Sequence, residues 1–248
     1  MKQVLILGAT SGIAESFAHA VMKQFPEARL CLVSRSAAKL ESIRADIGAR
    51  FGLAPYVIAA DLNEFSGARA LIENCATQLE TTHFDTVLVA HGFMENEEVA
   101  QADFTRALPV IATNYVGPVA LCSALVPYLK DGSTLAVITS VAGDRGRPSN
   151  FIYGSAKAGL QAYLSGLNAK LFSKKISVLD VRPGFTKTAM TAHLNRSGPL
   201  WATPDQVAAD ILRAVVRRRS VLYTPWFWCA IMAIIRSIPG FVFRRLKL

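Results

Sequence analysis

Short runs of consecutive apolar residues alternate along this chain with longer stretches in which apolar side chains recur every three or four positions. The run QVLILG precedes the periodic stretch SGIAESFAHAVMKQF, and the alternation continues to the run SVLYT near residue 224. Strands that are apolar throughout are typical of a parallel sheet covered by helices on both faces. With seven such runs, the pattern predicts an α/β fold, a doubly wound seven-stranded parallel sheet.

The periodic stretches predict the helices of this fold and leave no gap that would separate two domains. No stretch rich in Gly, Ser or Pro interrupts the pattern, so we predict one domain over residues 1–224 and a basic, apolar, helical C-terminal appendage over residues 225–248. The later predicted helices cover Glu64 to Glu80, Val99 to Ala112, Val116–Leu129, Asn150–Phe172 and Pro204–Val216.

Composition excludes a disordered chain and changes the meaning of the net charge. Hydrophobic residues make up 52% and charged residues 18% of the sequence, which allows a substantial core. The net charge of +9 would suggest a nucleic-acid partner if it were evenly spread. However, seven basic residues and no acid lie in 217–248, whereas 1–216 carry 20 basic and 18 acidic residues. We therefore expect no nucleic-acid binding and a cationic tail.

The cysteines and the N-terminus give no sign of secretion. The four cysteines are far apart and form no CxxC pair, so neither a zinc site nor a disulfide framework is predicted. The first apolar run is short and ends in a glycine turn, so we interpret it as a strand rather than a signal peptide. No uninterrupted apolar segment reaches the roughly 18–20 residues of a spanning helix. A location on the cytoplasmic side is expected.

The turn after the first strand has the composition of a phosphate-binding turn. In a doubly wound sheet this turn lies at the ligand-binding edge. Gly8 allows a tight turn and Gly12 allows the backbone to approach a pyrophosphate, but the spacing is not GxGxxG, and a plain strand-to-helix turn is the alternative. The turn reads Gly8-Ala9-Thr10-Ser11-Gly12-Ile13-Ala14.

The ends of the second and third strands add to this evidence. Ser34 and Arg35 stand where an NAD enzyme would place an acid to bind the adenosine ribose, so Arg35 could instead pair with a 2′-phosphate, which favours NADP. The alternative is a solvated arginine. Asp61 and Leu62 are suited to bonding and covering an adenine edge, although Asp61 could equally be the N-cap of the next helix.

Four polar residues between positions 114 and 157 suggest carbonyl chemistry. Ser140 ends the fifth strand, and Tyr153 and Lys157, at i and i+4, share one helix face. An adjacent ammonium lowers the pKa of a phenol, and a serine can orient a carbonyl. Asn114 lies in a predicted helix interior, where it suggests a polar contact. Singly each residue is ordinary, because a half-buried aromatic, a solvated lysine, a strand cap and a helix irregularity would look the same.

Together with the glycine turn and the Pro183-Gly184-x3-Thr188 sequence, these residues resemble the signature of the short-chain dehydrogenase/reductase family over roughly residues 3–224. The resemblance implies a Rossmann-fold reductase. Ser140 would orient the substrate carbonyl, Tyr153 would be the general acid, and Lys157 would hold the nicotinamide ribose and lower the Tyr153 pKa. Asn114 would hold a water linked to a proton relay.

The resemblance also implies the remaining cofactor contacts. Pro183, Gly184, Thr186 and Thr188 match the loop against the nicotinamide carboxamide, and Ala90-His91-Gly92 stands where the family usually has Asn-Ala-Gly beside the adenosine ribose. His91 in place of a small residue and Ala14 in place of the third glycine depart from the family pattern. Both departures concern the fit of NADPH rather than the chemistry.

Two segments are expected to select the substrate. Residues 188–201 would form a flap with Met190, His193 and Leu194 as lid residues, although His193 could equally be solvated. In the tail, apolar residues with Trp226, Phe227 and Trp228 are flanked by arginines, which suits a membrane interface with anionic lipids over residues 217–248. The alternative is a dimer contact or a helix folded back onto the body.

The stretches SVAGDRGRPSNFIYGSAKAGL, RPGFTKTAMTAHL and IRSIPGFVFRRLKL resemble the decaprenylphosphoryl keto-pentose reductases of bacterial arabinan synthesis. That resemblance implies a polyprenyl-phosphate-linked 2-keto-pentose substrate, a partner oxidase that makes the ketone, and peripheral association with the inner membrane. A homo-oligomer is also expected. Two alternatives remain: a reductase of another lipophilic ketone, of 3-oxoacyl or steroid type, and a non-catalytic nucleotide-binding protein that docks through its tail.

Overall fold

A computed structural model describes residues 1–192 and 198–246. Its seven strands form one sheet in the order β3-β2-β1-β4-β5-β6-β7, and every neighbouring pair is parallel. The predicted doubly wound sheet is therefore confirmed. The strands are β1 (Gln3–Leu7), β2 (Arg29–Ser34), β3 (Tyr56–Ala59), β4 (Thr86–Val89), β5 (Thr134–Ile138), β6 (Ser177–Pro183) and β7 (Val221–Thr224).

Helices connect the strands and continue beyond the last one. Serines cap the first two helices, because Ser11 Oγ accepts from Ala14 N and Ser36 Oγ accepts from Lys39 N. The helices are α1 (Gly12–Gln24), α2 (Ala37–Phe51), α3 (Ala68–Gln78), α4 (Glu97–Ala102), α5 (Phe104–Ile111), α6 (Gly117–Leu125), α7 (Phe151–Leu171), α8 (Pro204–Val216), α9 (Phe227–Ser237) and α10 (Gly240–Phe243).

The core has two layers, one on each face of the sheet. Successive side chains of a strand point to opposite faces, so Val4 and Ile6 of β1 join one cluster while Leu5 and Leu7 join the other. The first cluster includes α1, α2 and α8, and the second includes α3, α6 and α7. Burial on both faces explains why the strands are apolar throughout.

The two helices predicted over Val99 to Ala112 and Val116–Leu129 are joined in the structure. Helical backbone runs from Phe104 to Tyr128, long and apolar enough to cross a membrane by length and composition alone. Its second half instead packs under the sheet, with Leu121 and Leu125 fully buried. We therefore interpret it as a core helix.

The tail folds back onto the domain with one face. Trp228 and Met232, one helical turn apart on α9, are buried against Val141, and Phe227, Ile231 and Ile235 pack around them. The inner face of α9 thus matches the folded-back alternative, whereas Trp226 and Ile234 on the other side are exposed.

Candidate active site

The predicted site residues lie at one edge of the sheet, where the carboxyl ends of the parallel strands meet. Gly8 follows β1, Arg35 follows β2, Asp61 lies just past β3, and Ala90 follows β4. Ser140 comes two residues after β5, and Pro183 is the last residue of β6. In open α/β sheets this edge is where ligands bind.

The glycine turn has the geometry of a phosphate cradle. Gly8 has φ of +84°, and an added Cβ would lie 2.5 Å from the backbone nitrogen of His91, so only glycine fits. At Gly12 an added Cβ would make ordinary contacts with Pro204 at 3.5 Å and Thr188 at 3.9 Å, so protein packing does not demand glycine there. The backbone N–H groups in the first turn of α1 suit an anionic group.

Thr10 and Ile13 join this turn to its surroundings in different ways. The Thr10 hydroxyl lies 2.7 Å from the Ser34 hydroxyl and links the turns after β1 and β2. The Ile13 side chain is buried in the core, so this residue can offer a ligand its backbone rather than its side chain. The two turns are therefore held together by protein contacts alone.

The ends of β2 and β3 are open to solvent. Arg35 is exposed, and no described side chain forms an ion pair or hydrogen bond with it. Asp61 is not a helix N-cap, because its carboxylate accepts from the backbone of Asn63 at 3.0 Å in a tight turn. The helical backbone begins at Phe65, one residue after the predicted start at Glu64, and α3 begins at Ala68. Leu62 is buried beneath the turn.

His91 occupies a position that the family resemblance reserves for a small residue. Both ring nitrogens are buried and have no hydrogen-bond partner among the described residues, and burial, reinforced by Lys157, lowers the pKa of His91 to about 3. The ring is directed at Gly117, where an added Cβ would lie 3.2 Å from Nε2. Since the His91 ring faces the protein interior, only the backbone of His91 can contact a ribose at this position. Ala90 is likewise buried.

Asn114 lies in a turn of π-helix, Ala112–Val116, that joins α5 to α6. Such turns occur mostly at functional sites. Pro118 follows closely and has no N–H to continue a regular α-helix. The fully buried Asn114 amide donates to the carbonyls of Phe93 and Val110, and its oxygen faces Gly92, where an added Cβ would lie 3.1 Å away. One amide hydrogen thus holds the connection after β4 at Phe93, and the other bonds the preceding helical turn at Val110.

Ser140, Tyr153 and Lys157 come together between β5 and α7. The Lys157 ammonium is 2% exposed, donates to the Ile138 carbonyl at 3.0 Å and lies 5.7 Å from the centre of the Tyr153 ring. Burial lowers the pKa of Lys157 to about 8, opposed by the charge of Asp180. In this arrangement the lysine can lose its proton close to neutral pH.

The pKa of Tyr153 differs from the expectation that Lys157 would lower it. Burial raises this pKa to about 12, and the hydrogen bond with Ser140 opposes the rise. The phenol loses more hydration than it gains from the lysine, whose proton is directed at Ile138. Tyr153 is therefore a protonated hydroxyl at neutral pH, ready to donate to a carbonyl oxygen.

Residues not singled out from the sequence hold this set in place. Glu97 accepts from the Ile152 backbone N–H at 2.9 Å and caps the first turn of α7, where the side chain of the N-cap residue Asn150 makes no capping bond. Gln161 donates to the Ser140 carbonyl at 2.8 Å. Glu97 is separated from α7 by more than fifty residues, so no local pattern could have revealed it.

The loop after β6 closes the other side of the cleft. Thr186 is buried and donates to the Gly184 carbonyl at 3.3 Å, and Thr188 caps the short helix Ala189–Thr191. Met190 Cε lies 3.4 Å from where a Cβ of Gly92 would be, so Met190 reaches across the cleft. The predicted lid residues His193 and Leu194 lie outside the described residues.

A half-buried serine and tyrosine with a buried lysine, beside a phosphate cradle, define a dehydrogenase or reductase site rather than a hydrolase site, because the set pairs a proton donor with a dinucleotide position. The family model "short chain dehydrogenase" matches residues 2–198. The chain belongs to the short-chain dehydrogenase family and is an oxidoreductase of that class.

Similar proteins agree with this assignment. An uncharacterized oxidoreductase of Mycobacterium tuberculosis H37Rv is 31% identical over 98% of this chain and 96% of its own. An uncharacterized oxidoreductase of Streptomyces coelicolor is 31% identical over 99% of this chain and 96% of its own. A short-chain dehydrogenase from Burkholderia cenocepacia, solved with NADP, gives a TM-score of 0.79 at 21% identity over 90% of this chain and 95% of its own. An actinorhodin polyketide ketoreductase solved with NADPH gives a TM-score of 0.78 at 18% identity, over 92% of this chain and 97% of its own.

Proposed function

We propose that this protein reduces a ketone to an alcohol with NADPH, and that the ketone is the 2-keto group of a polyprenyl-phosphate-linked pentofuranose. The product is then an arabinofuranose donor, and a partner oxidase supplies the ketone from the ribose epimer. The tail carries the substrate part of this proposal, because one helix packs on the cleft with one face and presents an apolar, cationic surface with the other.

NADPH is supported by the open end of the cleft. Arg35 is exposed and unpaired among the described residues, so its guanidinium is free to pair with a 2′-phosphate. The sequence Ser34-Arg35-Ser36 supplies no acid for a ribose diol. The solved relatives with NADP and NADPH bound favour the same cofactor.

The residues of the cleft have separate roles in this reaction. NADPH supplies the hydride when it is bound. Tyr153 donates its phenolic proton to the oxygen that becomes the alcohol, and Ser140 donates a hydrogen bond to the same oxygen and orients the carbonyl. The buried Lys157 ammonium stabilises the phenolate left on Tyr153. Gln161 holds Ser140 through its backbone carbonyl, and Asn114 holds the loop after β4 through the Phe93 carbonyl.

The outer face of the tail supports a lipid-linked substrate. Trp226 is 79% exposed, Ile234 65% and Phe241 62%, although all three are large apolar side chains. Arg236, Arg244 and Arg245 flank them, and no acid occurs from residue 217 onward. A bilayer with anionic headgroups satisfies both the apolar and the cationic parts of this surface. We infer peripheral association with the cytoplasmic side of the inner membrane.

A second exposed apolar surface supports a homo-oligomer. Phe104 is 68% exposed and Leu108 is 53% exposed on α5, beside a cavity of about 520 Å³ that Phe151 and Ala158 of α7 also line. This surface has no arginine cluster comparable to the tail's, so a second copy of the chain suits it better than anionic lipid. We infer that two protomers pair through α5 and α7.

A coupled assay tests the substrate. Purified protein is incubated with a partner oxidase, polyprenyl-phosphoryl ribose, NADPH and anionic vesicles, and the sugar is analysed after release. We expect the arabinose epimer, and no epimer when NADPH is omitted. If the ribose form persists while 3-oxoacyl or steroid ketones are reduced rapidly, the protein is a reductase of another lipophilic ketone. If NADPH binds but no ketone is reduced, the non-catalytic docking alternative is favoured.

A further inference from the structure

Helix α9 touches both loops that carry the chemistry. Its buried residue Trp228 contacts the loop after β6, and its C-terminal end contacts the loop that begins at Ser140. These two loops come from neighbouring strands, β5 and β6. The tail is therefore part of the wall of the active site as well as an exposed surface.

The first contact is an interlock between Trp228 and Gly184. The indole ring occupies the space in which a Cβ of Gly184 would lie, so any larger residue at 184 would overlap it. Gly184 is held from the other side, because its N–H donates to the Thr224 carbonyl at 3.0 Å. Phe185 packs edge-on to Trp228 at 5.5 Å and stacks on Trp201 at 5.2 Å. The backbone at Gly184 is thus clamped between β7 and the tail.

The second contact anchors the far end of the helix. Arg145 donates to the carbonyls of Ile235 and Ile238 at 2.5 Å and 2.6 Å, and its guanidinium lies 3.7 Å from the centre of the Phe243 ring. The last carbonyls of a helix have no intrahelical donor and carry partial negative charge, so a guanidinium stabilises them. Arg145 lies five residues beyond Ser140, which ties the serine loop to the tail.

We propose that Trp228 is a positioning residue: by filling the space at Gly184 it holds residues 183–192, which include the expected nicotinamide contacts Thr186 and Thr188, in their catalytic arrangement. This inference rests on the NADPH-dependent reduction proposed above. It predicts that the tail acts on the reaction through the cofactor loop, independently of any membrane.

Two nearby residues provide matched controls. Trp226 is the same residue type two positions earlier, but its side chain is exposed and faces away from the body. Met232 is fully buried on the same face of α9 as Trp228, but the three atoms nearest to an added Cβ of Gly184 all belong to Trp228. Loss of Met232 loosens the helix without uncovering Gly184.

The test measures hydrogen exchange of residues 183–192 and NADPH affinity by calorimetry in the full-length protein. For Trp228→Ala we expect about tenfold faster exchange in this loop and about tenfold weaker NADPH binding. For Trp226→Ala and Met232→Ala we expect both values within about twofold of the wild type. The inference is overturned if Trp228→Ala leaves both values unchanged, or if Met232→Ala changes them equally.

Two further variants keep the inference testable if Trp228→Ala does not fold. Trp228→Phe leaves part of Gly184 uncovered, and we expect exchange about threefold faster than in the wild type; an unchanged rate contradicts the proposal. Gly184→Ala, as a single change, should make hydrogen exchange of this loop faster. In the Trp228→Ala variant the same change should have no further effect, because the indole that the alanine would displace is already absent. A wild-type protein that does not bind NADPH would instead overturn the proposed function.

Discussion

The two ends of the cleft are built in opposite ways. At the adenosine end, Arg35 and Asp61 are exposed, and Arg35 has no partner among the described residues. At the catalytic end, Asn114 and Lys157 are buried, and their polar groups bond to backbone carbonyls of Phe93, Val110 and Ile138. The side chains of the adenosine end are thus free to bind a ligand, whereas those of the catalytic end are held in place by the protein.

This difference follows from what each end has to do. A catalytic group must be held in place before the substrate arrives, and buried hydrogen bonds to backbone achieve this. A group that recognises a phosphate must be free to pair with it, so it stays hydrated until binding. We therefore expect changes at the open end to alter affinity for the cofactor, and changes at the buried end to alter turnover.

The largest effect is expected for Tyr153→Phe, which removes the proton donor and leaves the ring. The turnover number for ketone reduction should fall by about 1000-fold, within the range for loss of a general acid. NADPH affinity, measured by calorimetry, should stay within about twofold because the cofactor cradle is unchanged. If Tyr153→Phe instead lost NADPH binding but kept normal turnover per bound cofactor, the claim that the buried end controls turnover and the open end controls affinity would be contradicted.

A smaller effect, confined to the open end, is expected for Arg35→Asp. The variant replaces a cation with an anion where the 2′-phosphate is expected, so NADPH should bind about 30-fold more weakly, as for loss of a charge-assisted bond of about 2 kcal/mol. NADH, which has no 2′-phosphate, should bind as before. Titrations with both cofactors check this. Equal weakening of NADPH and NADH would contradict the assignment of Arg35.

The buried lysine predicts how the rate depends on pH. Lys157 has a pKa lowered to about 8, so its ammonium loses the proton as pH rises through about 8, while Tyr153, with a pKa of about 12, stays protonated. Reduction needs both protons, so kcat/KM for NADPH should fall about tenfold per pH unit above pH 8. A rate profile from pH 6 to 10 checks this, and a flat profile would show that Lys157 stays charged.

The same shift predicts a stability effect of defined sign. The folded protein disfavours the charged form of Lys157, whose pKa lies below the ordinary lysine value of 10.5. Folding therefore costs more when the lysine is protonated, and this cost disappears as pH rises from about 8 towards 10.5. Lys157→Met should remove the dependence. Urea unfolding of both proteins across this range checks the sign.

The smallest effect is expected at the outer face of the tail. Arg244→Gln removes one exposed cation, which near an anionic bilayer contributes about 1 kcal/mol, or about fivefold in vesicle affinity. Arg44, an exposed arginine on α2 that bonds only Glu41, provides the control. Sedimentation with anionic and neutral vesicles should show the loss for Arg244→Gln alone. Equal vesicle binding by both variants would contradict the proposal that the tail binds the membrane.

Much of the fold could be predicted from local patterns, because strands buried on both faces must be apolar and the helices between them periodic. The glycine turn and the spacing of Tyr153 and Lys157 were likewise readable, since each depends on neighbours within one element. The helix predicted over Glu64 to Glu80 is found as a short turn of 3-10 helix, Phe65–Gly67, followed by α3. Asp61 is not its N-cap, because the Asp61 carboxylate bonds the backbone of Asn63, two positions on, and forms a turn. Local propensity cannot separate these two uses of an aspartate.

Other features depend on distant packing and left no local signal. The bond from Asn114 to the Phe93 carbonyl joins residues 21 positions apart, and the cap of α7 comes from Glu97. The raised pKa of Tyr153 depends on how deeply the phenol is buried, which spacing does not reveal. The contact between Trp228 and Gly184 joins residues from two different elements, which no local pattern reveals. From the sequence, the tail was therefore predicted to be an appendage and not a part of the active site.

One measurement tests the central claim, that the open and buried ends act together to reduce a lipid-linked ketone. Wild-type protein on anionic vesicles is given polyprenyl-phosphoryl 2-keto-pentose and NADPH carrying deuterium at the transferable position, and the released sugar is analysed by mass spectrometry and NMR. We predict arabinose with one deuterium at C2, and none with Tyr153→Phe. Unlabelled sugar, or unreacted ketone while NADPH is bound, would contradict the account.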